Sequence, residues 1–531
     1  MPVHLTPLTP LAFMERSASV FAHRTAVVHG ASRLSYAELA AQVTRLARAL
    51  RASGIGPGDR VAYLSPNAPA LLVAHFAVPL AGAVLVALNT RLAPEEVRNI
   101  CLHSGARLMV ADTELQGTIA PVADRLGDVR EVVWVDDAGI PAELPGPSYA
   151  ELLARRSDEP LPWTVEDEDA TIAINYTSGT TGSPKGVMYT HRGAYLNALG
   201  ENVTAGHGPE TVYLWTLPMF HCNGWCHPWA ITAVGGTHVC LRAVRAAEIW
   251  RLIDEEGVTH LNGAPAVLST LVNAAEAHPL DRELVVMTAA APPSPTILAQ
   301  TEALGARVVH VYGLTETYGP HTVCQWQPEW ADAEPDERAR LLSRQGVAMV
   351  MADPIRVVDE AGEDVPRDGA TVGEIVMRGN NVMKGYHDDP DATAHAFRDG
   401  VFHSGDLGVW HPDGYVELRD RAKDVVISGG ENISTIEVEQ AILSHPAVLE
   451  AAVVGVPDDR WGERPKAFVV LRPGAAAEPD GLRAHVRGLL AGYKCPDVVE
   501  LIDELPRTST GKVRKVLLRE REWAGRERMI N

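Results

Sequence analysis

The apolar run Ala170-Thr171-Ile172-Ala173-Ile174 opens almost directly into Tyr176-Thr177-Ser178-Gly179-Thr180-Thr181-Gly182-Ser183-Pro184-Lys185-Gly186. The first segment is rich in β-favouring residues and reads as a buried strand. The second joins glycines, Ser and Thr hydroxyls and one lysine. A rigid strand thus feeds a loop of bare backbone N–H groups and hydroxyls with a cation at its far end, which suits a polyphosphate. It is not a Walker loop, which needs Lys directly after Gly and then Ser or Thr at the start of a helix. Here Pro184 precedes Lys185 and Gly186 follows it, and both disfavour helix. The pattern predicts a mobile phosphate-gripping loop rather than a rigid cradle; the plain alternative is a polar surface turn.

At 531 residues the chain can bury several cores, so two or more domains are expected. Residues 1–165 alternate helix and strand. Leu39, Val43, Leu46 and Leu50 give a helix over Ser35–Arg51, and strands follow at Val61–Leu64, 83–88, Arg107–Val110 and Val129–Val135. Such alternation means a parallel sheet with helices on its faces. The uncharged stretch Ala68–Leu88 approaches the ~20 residues of a membrane span. His75, Pro79 and Gly82 interrupt it, so a buried helix to about Ala81 followed by a strand fits better. After the phosphate loop a helix is expected over Arg192–Ala198.

Three later strands run into small or polar clusters: Val258–Leu261 into Asn262-Gly263-Ala264-Pro265, Val285–Thr288 into Ala289-Ala290-Ala291-Pro292-Pro293, and Val308–Val311 into Tyr312-Gly313-Leu314-Thr315-Glu316-Thr317. Active groups in open parallel sheets gather at strand C-termini. Ala and Pro leave room for a flat purine, and Tyr312 offers a ring to stack on it. Thr315 can bond a phosphate oxygen, and Glu316 can hold Mg²⁺, a hard cation that takes carboxylate and phosphate oxygens together. Further on, Gly373–Gly379 and Met383–Tyr386 read as strand, turn, strand. Asp406, in the Gly-bounded turn His403-Ser404-Gly405-Asp406-Leu407-Gly408, can accept two ribose hydroxyl hydrogens. The charge knot Asp420-Arg421-Ala422-Lys423-Asp424 lies between apolar runs and is a candidate boundary. Beyond it come the turn Ser428–Asn432, a capping box Ser434–Glu437 opening a helix over Thr435–Ser444, and a small α+β unit.

Asp plus Glu outnumber Lys plus Arg by 68 to 47, a net charge of −21 that disfavours nucleic acid and anionic membrane as partners. Six cysteines in a chain of this length make no disulfide framework and point to a reducing cytoplasm. No signal peptide is read at Met1–Pro7, and Met529-Ile530-Asn531 is not a peroxisomal tripeptide. In Met219-Phe220-His221-Cys222-Asn223-Gly224-Trp225-Cys226-His227-Pro228-Trp229 the His and Cys residues sit as adjacent pairs, poorly suited to tetrahedral zinc. The interleaved aromatics suit a pocket wall.

Tyr176–Gly186 resembles the phosphate loop of the AMP-forming adenylating enzymes (acyl-CoA synthetases, adenylation domains and luciferases). Tyr312–Glu316 resembles that family's second hallmark. The blocks at 219–229, 403–408 and Pro506-Arg507-Thr508-Ser509-Thr510-Gly511-Lys512 follow its order. Tyr318-Gly319-Pro320 with Cys324, Trp326, Pro328 and Trp330 resembles the branch of plant acyl-activating enzymes and bacterial ligases for medium-chain or modified acids. The resemblance covers about residues 10–520. It implies an α/β fold: a large N-terminal domain (1–420) of parallel-sheet subdomains plus a small distorted β-barrel, hinged near Lys423 to a small α+β C-terminal domain (421–531). It implies that a carboxylic acid attacks the α-phosphorus of MgATP, and that coenzyme A then takes the acyl group and releases AMP. Thr177, Ser178, Gly179, Thr180, Thr181, Gly182 and Lys185 would hold the departing phosphates. Ala289, Ala290, Ala291, Pro292, Tyr312 and Gly313 would surround the nucleotide, with Asp406 and Arg421 on its ribose. Thr315 would bond phosphate, Glu316 would hold Mg²⁺, and Lys512 would bridge carboxylate and α-phosphate. His221 would gate the passage between nucleotide and acyl sites, beside Trp225. After rotation about Lys423, Gly429 and Gly430 would line the pantetheine tunnel. A homodimer is also implied by the family.

Two positions depart from the branch. Ala290 stands where Gly is usual, and His321 where a small residue is usual. A chain impaired there would favour thioesterification of a ready-made acyl-adenylate. A chain that adenylates normally could instead pass the acyl group to a carrier-protein phosphopantetheine. A non-catalytic ligand sensor on this fold is opposed by the presence of both Lys185 and Lys512. The full ligase reading predicts robust ATP–pyrophosphate exchange with the true acid. No exchange, together with thioester formation from supplied acyl-adenylate, would favour the impaired form.

Overall fold

The computed structural model describes residues 3–177, 185–289, 295–421, 423–428, 431–458, 460–507 and 513–524. Among them the strands form four sheets. The seven-stranded sheet runs Gly385–Tyr386, Gly186–Thr190, Thr171–Tyr176, Val84–Leu88, Arg60–Leu64, Ala106–Asp112, Val132–Val135. Its centre is parallel, and every residue of Val84–Leu88 is buried, which is why that strand reads as an unbroken apolar run. The preceding helix, Pro69–Leu80, is buried from Ala70 to Leu80. Its apolar sequence serves a core position, and among the described residues no helix is long and apolar enough to cross a membrane.

Gly186–Thr190 is a strand that the sequence reading missed. Pro184 and Gly186 signal only that helix is broken, whereas Gly186 opens an antiparallel partner for Thr171–Tyr176. Tyr176 pairs with Gly186, and the Thr177 N–H donates to the Lys185 carbonyl at 3.0 Å. Both ends of the segment between Thr177 and Lys185 are therefore pinned face to face. The helix that follows is His191–Ala205, longer than expected. Buried polar residues Asn197, Glu201 and Asn202 break its apolar period and hid its second half.

The nine-stranded sheet carries His260–Gly263, Leu284–Thr288 and Ala306–Leu314 side by side and parallel, so Gly263, Thr288 and His310 stand level in register. Gly319–Val323 returns antiparallel beside the last of them. A third, antiparallel sheet comprises Arg356–Val358, Val372–Met377, Phe402–Trp410 and Val416–Arg421. The expected strand-turn-strand over 373–386 divides between two sheets: Val372–Met377 lies in this one, while Gly385–Tyr386 pairs with Val187 and Met188.

The last unit has its own core of Val438, Ile442, Val453, Ala467, Val469, Leu482 and Val486. Its helix Thr435–Leu443 starts with the Ser434 hydroxyl accepting from the Glu437 N–H at 3.1 Å. The predicted capping box does not close, because the Glu437 carboxylate instead takes the Lys494 ammonium at 2.8 Å.

Burial holds many imidazoles neutral. It pushes His75, His191, His227, His260, His310 and His321 down to about 4, and His238 to about 3. The unfolded chain binds these protons near pH 6.5 and the folded chain does not. Their stability is thus present above pH 6.5 and lost as pH falls toward 4, by up to ~1.4 kcal/mol per group per pH unit. Thermal melts at fixed ionic strength should show a steep, cooperative fall in Tm between pH 6.5 and 5. A flat profile there would contradict neutral burial.

Candidate active site

Lys185 emerges from the pinned loop end with its ammonium 4.7 Å from the ring centroid of Tyr386, a cation–π contact. The Tyr386 hydroxyl donates to Glu316 Oε1 at 2.9 Å. Burial, then the Glu316 charge, push the Tyr386 phenol up, so it remains a donor. The Met383 N–H donates to the Glu316 carbonyl at 2.8 Å. Tyr386 thus links the ammonium on its ring face to the carboxylate on its hydroxyl.

Glu316 lies in the 3₁₀ turn Thr315–Thr317, which follows directly from strand Ala306–Leu314. The Leu314 N–H donates to Thr317 Oγ1 at 2.9 Å, and the Tyr189 hydroxyl to the Thr315 carbonyl at 2.7 Å. Glycine is required just before the turn: a Cβ on Gly313 would fall 1.9 Å from the Gly319 carbonyl oxygen. Gly319 itself has φ +104°, and its Cβ would lie 2.6 Å from Trp225.

Tyr312, on the same strand, donates its hydroxyl to Asp406 Oδ2 at 2.7 Å, while Arg421 Nε stands 3.2 Å from Asp406 Oδ1. Asp406 is 3% exposed. It lies within strand Phe402–Trp410, paired in register with Arg421, rather than in a free turn. Glu374 holds the bend before it, accepting from the Gly405 N–H at 3.0 Å and Arg398 at 2.9 Å, with His403 Nδ1 at 2.8 Å. Glu374 escaped the sequence reading because a lone carboxylate in an apolar strand carries no motif. Lys423 is half-buried, and burial, then Arg421, lower its pKa.

The His221 segment is a strained bend. Cys222, Asn223, Trp225 and Cys226 all have positive φ, between 41° and 61°. Such backbone costs of order 1–3 kcal/mol per residue and persists only where its surroundings fix it. Asn223 fixes it: its N–H donates to Asn175 Oδ1 at 3.0 Å, its Oδ1 accepts from Asn175 Nδ2, and its Nδ2 meets His75 Nε2 at 3.1 Å. His75 is held in turn by the Leu71 carbonyl at 2.8 Å. The bend sets Cys222 Sγ 3.5 Å from Thr315 Oγ1 and 3.8 Å from His221 Nε2. His227 bonds the Trp225 carbonyl at 3.0 Å and Asn262 at 3.0 Å.

The structure therefore gathers Lys185, Glu316, Thr315 and His221 in one row, and Tyr312, Asp406 and Arg421 in another, joined by the chain between residues 312 and 315. Thr177 stands at the loop's base. Ala289 is buried, in one apolar cluster with Cys222, Trp225 and Val311. His321 is fully buried in strand Gly319–Val323. Ser178, Gly179, Thr180, Thr181, Gly182, Ala290, Ala291, Pro292, Gly429, Gly430 and Lys512 lie outside the described residues.

Residues 14–387 match the family model of the AMP-binding enzymes, and residues 437–512 that of the AMP-binding enzyme C-terminal domain. The acetate/butyrate–CoA ligase AAE7, peroxisomal, of Arabidopsis thaliana is 44% identical, over 98% of this chain and 95% of its own length. ATP-bound MatB from Rhodopseudomonas palustris superposes with a TM-score of 0.84 at 30% identity, over 97% of this chain and 98% of its own. The o-succinylbenzoate CoA synthetase MenE of Bacillus subtilis, in complex with the acyl-adenylate OSB-AMP, superposes with a TM-score of 0.79 at 27% identity, over 95% and 97%.

The bend yields a paired prediction. Asn223→Ala and Asn223→Gly both remove the side chain that satisfies Asn175 and His75, at ~1–3 kcal/mol for each group left buried unpaired. Glycine alone accepts the positive φ without strain, so Asn223→Gly should be the more stable of the two by ~1–2 kcal/mol in denaturant unfolding. Equal stability would mean that the bend is not strained.

Proposed function

The chain belongs to the AMP-binding enzyme family and is an acyl-CoA ligase, in which, we propose, Lys512, Thr315, Glu316 and His221 act where the acid meets the α-phosphate. The acid is activated with ATP to an acyl-adenylate, and the acyl group passes to coenzyme A. A carboxylate oxygen attacks the α-phosphorus and the bond to the β-phosphate oxygen breaks, so pyrophosphate leaves. The CoA thiol then attacks the acyl carbon, loses its proton to water, and expels AMP.

The observation that carries the residue assignments is the joining of an ammonium, a carboxylate and a hydroxyl (Lys185, Glu316, Thr315) to the Tyr312–Asp406–Arg421 cluster at the end of one parallel strand. On this reading Thr177–Gly182 and Lys185 take the β- and γ-phosphates. Ala289–Pro292, Tyr312 and Gly313 border the purine, and Asp406 with Arg421 take the ribose. Each Asp406 oxygen already has one partner, and a carboxylate oxygen accepts more than one hydrogen bond, so ribose hydroxyls can add to that set. Glu316 offers the oxygen donor that Mg²⁺ prefers; when bound, that ion neutralises phosphate charge. His221, at the mouth of the strained bend, separates nucleotide from acyl group.

We place the domain boundary at residues 420/421, with the C-terminal unit turning about Lys423 so that Gly429 and Gly430 replace Lys512 at the site. Such a step can limit turnover. The Arabidopsis relative is a ligase for acetate and butyrate, which makes short aliphatic acids our first choice here. The relative is also peroxisomal by name; six buried cysteines fit any reducing compartment, and we read the cytoplasm. A homodimer completes the proposal.

Incubation with MgATP, CoA and a panel of aliphatic, aromatic and polycyclic acids should yield AMP and an acyl-CoA; ADP in place of AMP would contradict it. Lys512→Ala should lower acyl-adenylate formation by about 10²–10³, the usual loss of a preorganised charge donor. It should spare thioester formation from supplied acyl-adenylate. Equal loss in both would remove Lys512 from its role.

A further inference from the structure

Lys423 is flanked by two carboxylates, Asp420 and Asp424, that the reaction scheme leaves unused. Asp420 is 2% exposed and is the last residue but one of strand Val416–Arg421, which is paired into the antiparallel sheet of the N-terminal unit. Its Oδ2 accepts two bonds from Thr435, the first residue of a C-terminal-unit helix: one from the backbone N–H and one from the hydroxyl at 2.7 Å. Beside them the Ser434 hydroxyl donates to the Arg419 carbonyl. These bonds span the hinge, because Arg419 and Asp420 precede Lys423 while Ser434 and Thr435 follow it.

The network continues inward. The Lys515 ammonium donates to Thr435 Oγ1 at 2.7 Å and pairs with Glu439 at 2.7 Å; its side chain is 16% exposed. Lys515 also interacts electrostatically with Asp420 and Asp424. Arg519, one turn further along the same helix, pairs with Asp424. Lys515 opens that helix three residues after Lys512. A continuous line of contacts therefore runs from Asp406 through Arg421 and Asp420 to Thr435 and Lys515, close in sequence to the lysine assigned to adenylation.

We propose that Asp420, Thr435 and Lys515 form a latch across the hinge that sets where Lys512 stands for acyl-adenylate formation, making them positioning residues for the first half-reaction. The proposal rests on the reading that the C-terminal unit turns about Lys423. Asp420 is held by its strand, so a turn at 421–423 carries Thr435 away from it and must break both bonds. The network is largely buried and charged, so each broken contact is felt more than a surface pair would be. The latch would thus bias the equilibrium between the two arrangements without touching substrate.

The test uses the full chain with Asp420→Asn, Thr435→Val and Lys515→Met. ATP–pyrophosphate exchange is measured with acetate, butyrate and octanoate offered together, and thioester formation is measured from the synthetic acyl-adenylates and CoA. Exchange should fall by about 10- to 100-fold, the loss expected for a hydrogen bond to a charged group. Thioester formation should stay close to wild type, and Lys515→Arg should recover part of the exchange. Parallel loss in both half-reactions would make the cluster a fold support and overturn the proposal, as would full exchange in all three variants. Absent exchange in the wild-type protein, with thioester still formed from the supplied acyl-adenylates, would overturn the adenylating reading for these acids and the latch with it.

Discussion

The buried carboxylate of Asp406 ties the molecule together at its working end. It accepts from Tyr312, at the end of a strand in the nine-stranded sheet, and pairs with Arg421, at the end of the strand that leads into the C-terminal unit. A carboxylate taken out of water is costly unless charge and hydrogen bonds surround it. That requirement fixes the antiparallel sheet against the parallel one, just before the chain enters the C-terminal unit. Three strands converge there to keep one charge satisfied.

A second constraint acts on the segment after His221. Four non-glycine residues after His221 hold positive φ only because Asn223 is locked between Asn175 and His75. Strain is stored in the bend and offset by a buried amide network beneath it. The bend in turn presents Cys222 to Thr315, so the bend and the Thr315–Thr317 turn are set by one another.

These two features were not equally legible in the sequence. Residue types demanded at a strand end leave a local string, so the sequence could single out Tyr312–Glu316, Asp406 and Arg421, which the structure sets at the ends of neighbouring strands or within them. The α/β architecture was legible too, because buried parallel strands such as Val84–Leu88 are uniformly apolar. The Asn223 network was not: His75 and Asn223 are 148 residues apart, and either residue alone looks like an interruption. Glu374 was hidden for the same reason, since its partners lie 24 to 31 residues further on. The strand Gly186–Thr190 was hidden by Pro184 and Gly186, which signal only broken helix, and the second half of helix His191–Ala205 by its buried polar residues.

The central claim is that the acid attacks the α-phosphorus of ATP, so that one carboxylate oxygen ends in AMP. The most direct measurement is a single complete turnover with butyrate labelled with oxygen-18 in its carboxylate, followed by mass spectrometry of the products. The account predicts one labelled oxygen in the phosphate of AMP and none in pyrophosphate. Label in inorganic phosphate, with ADP as the nucleotide product, would contradict it.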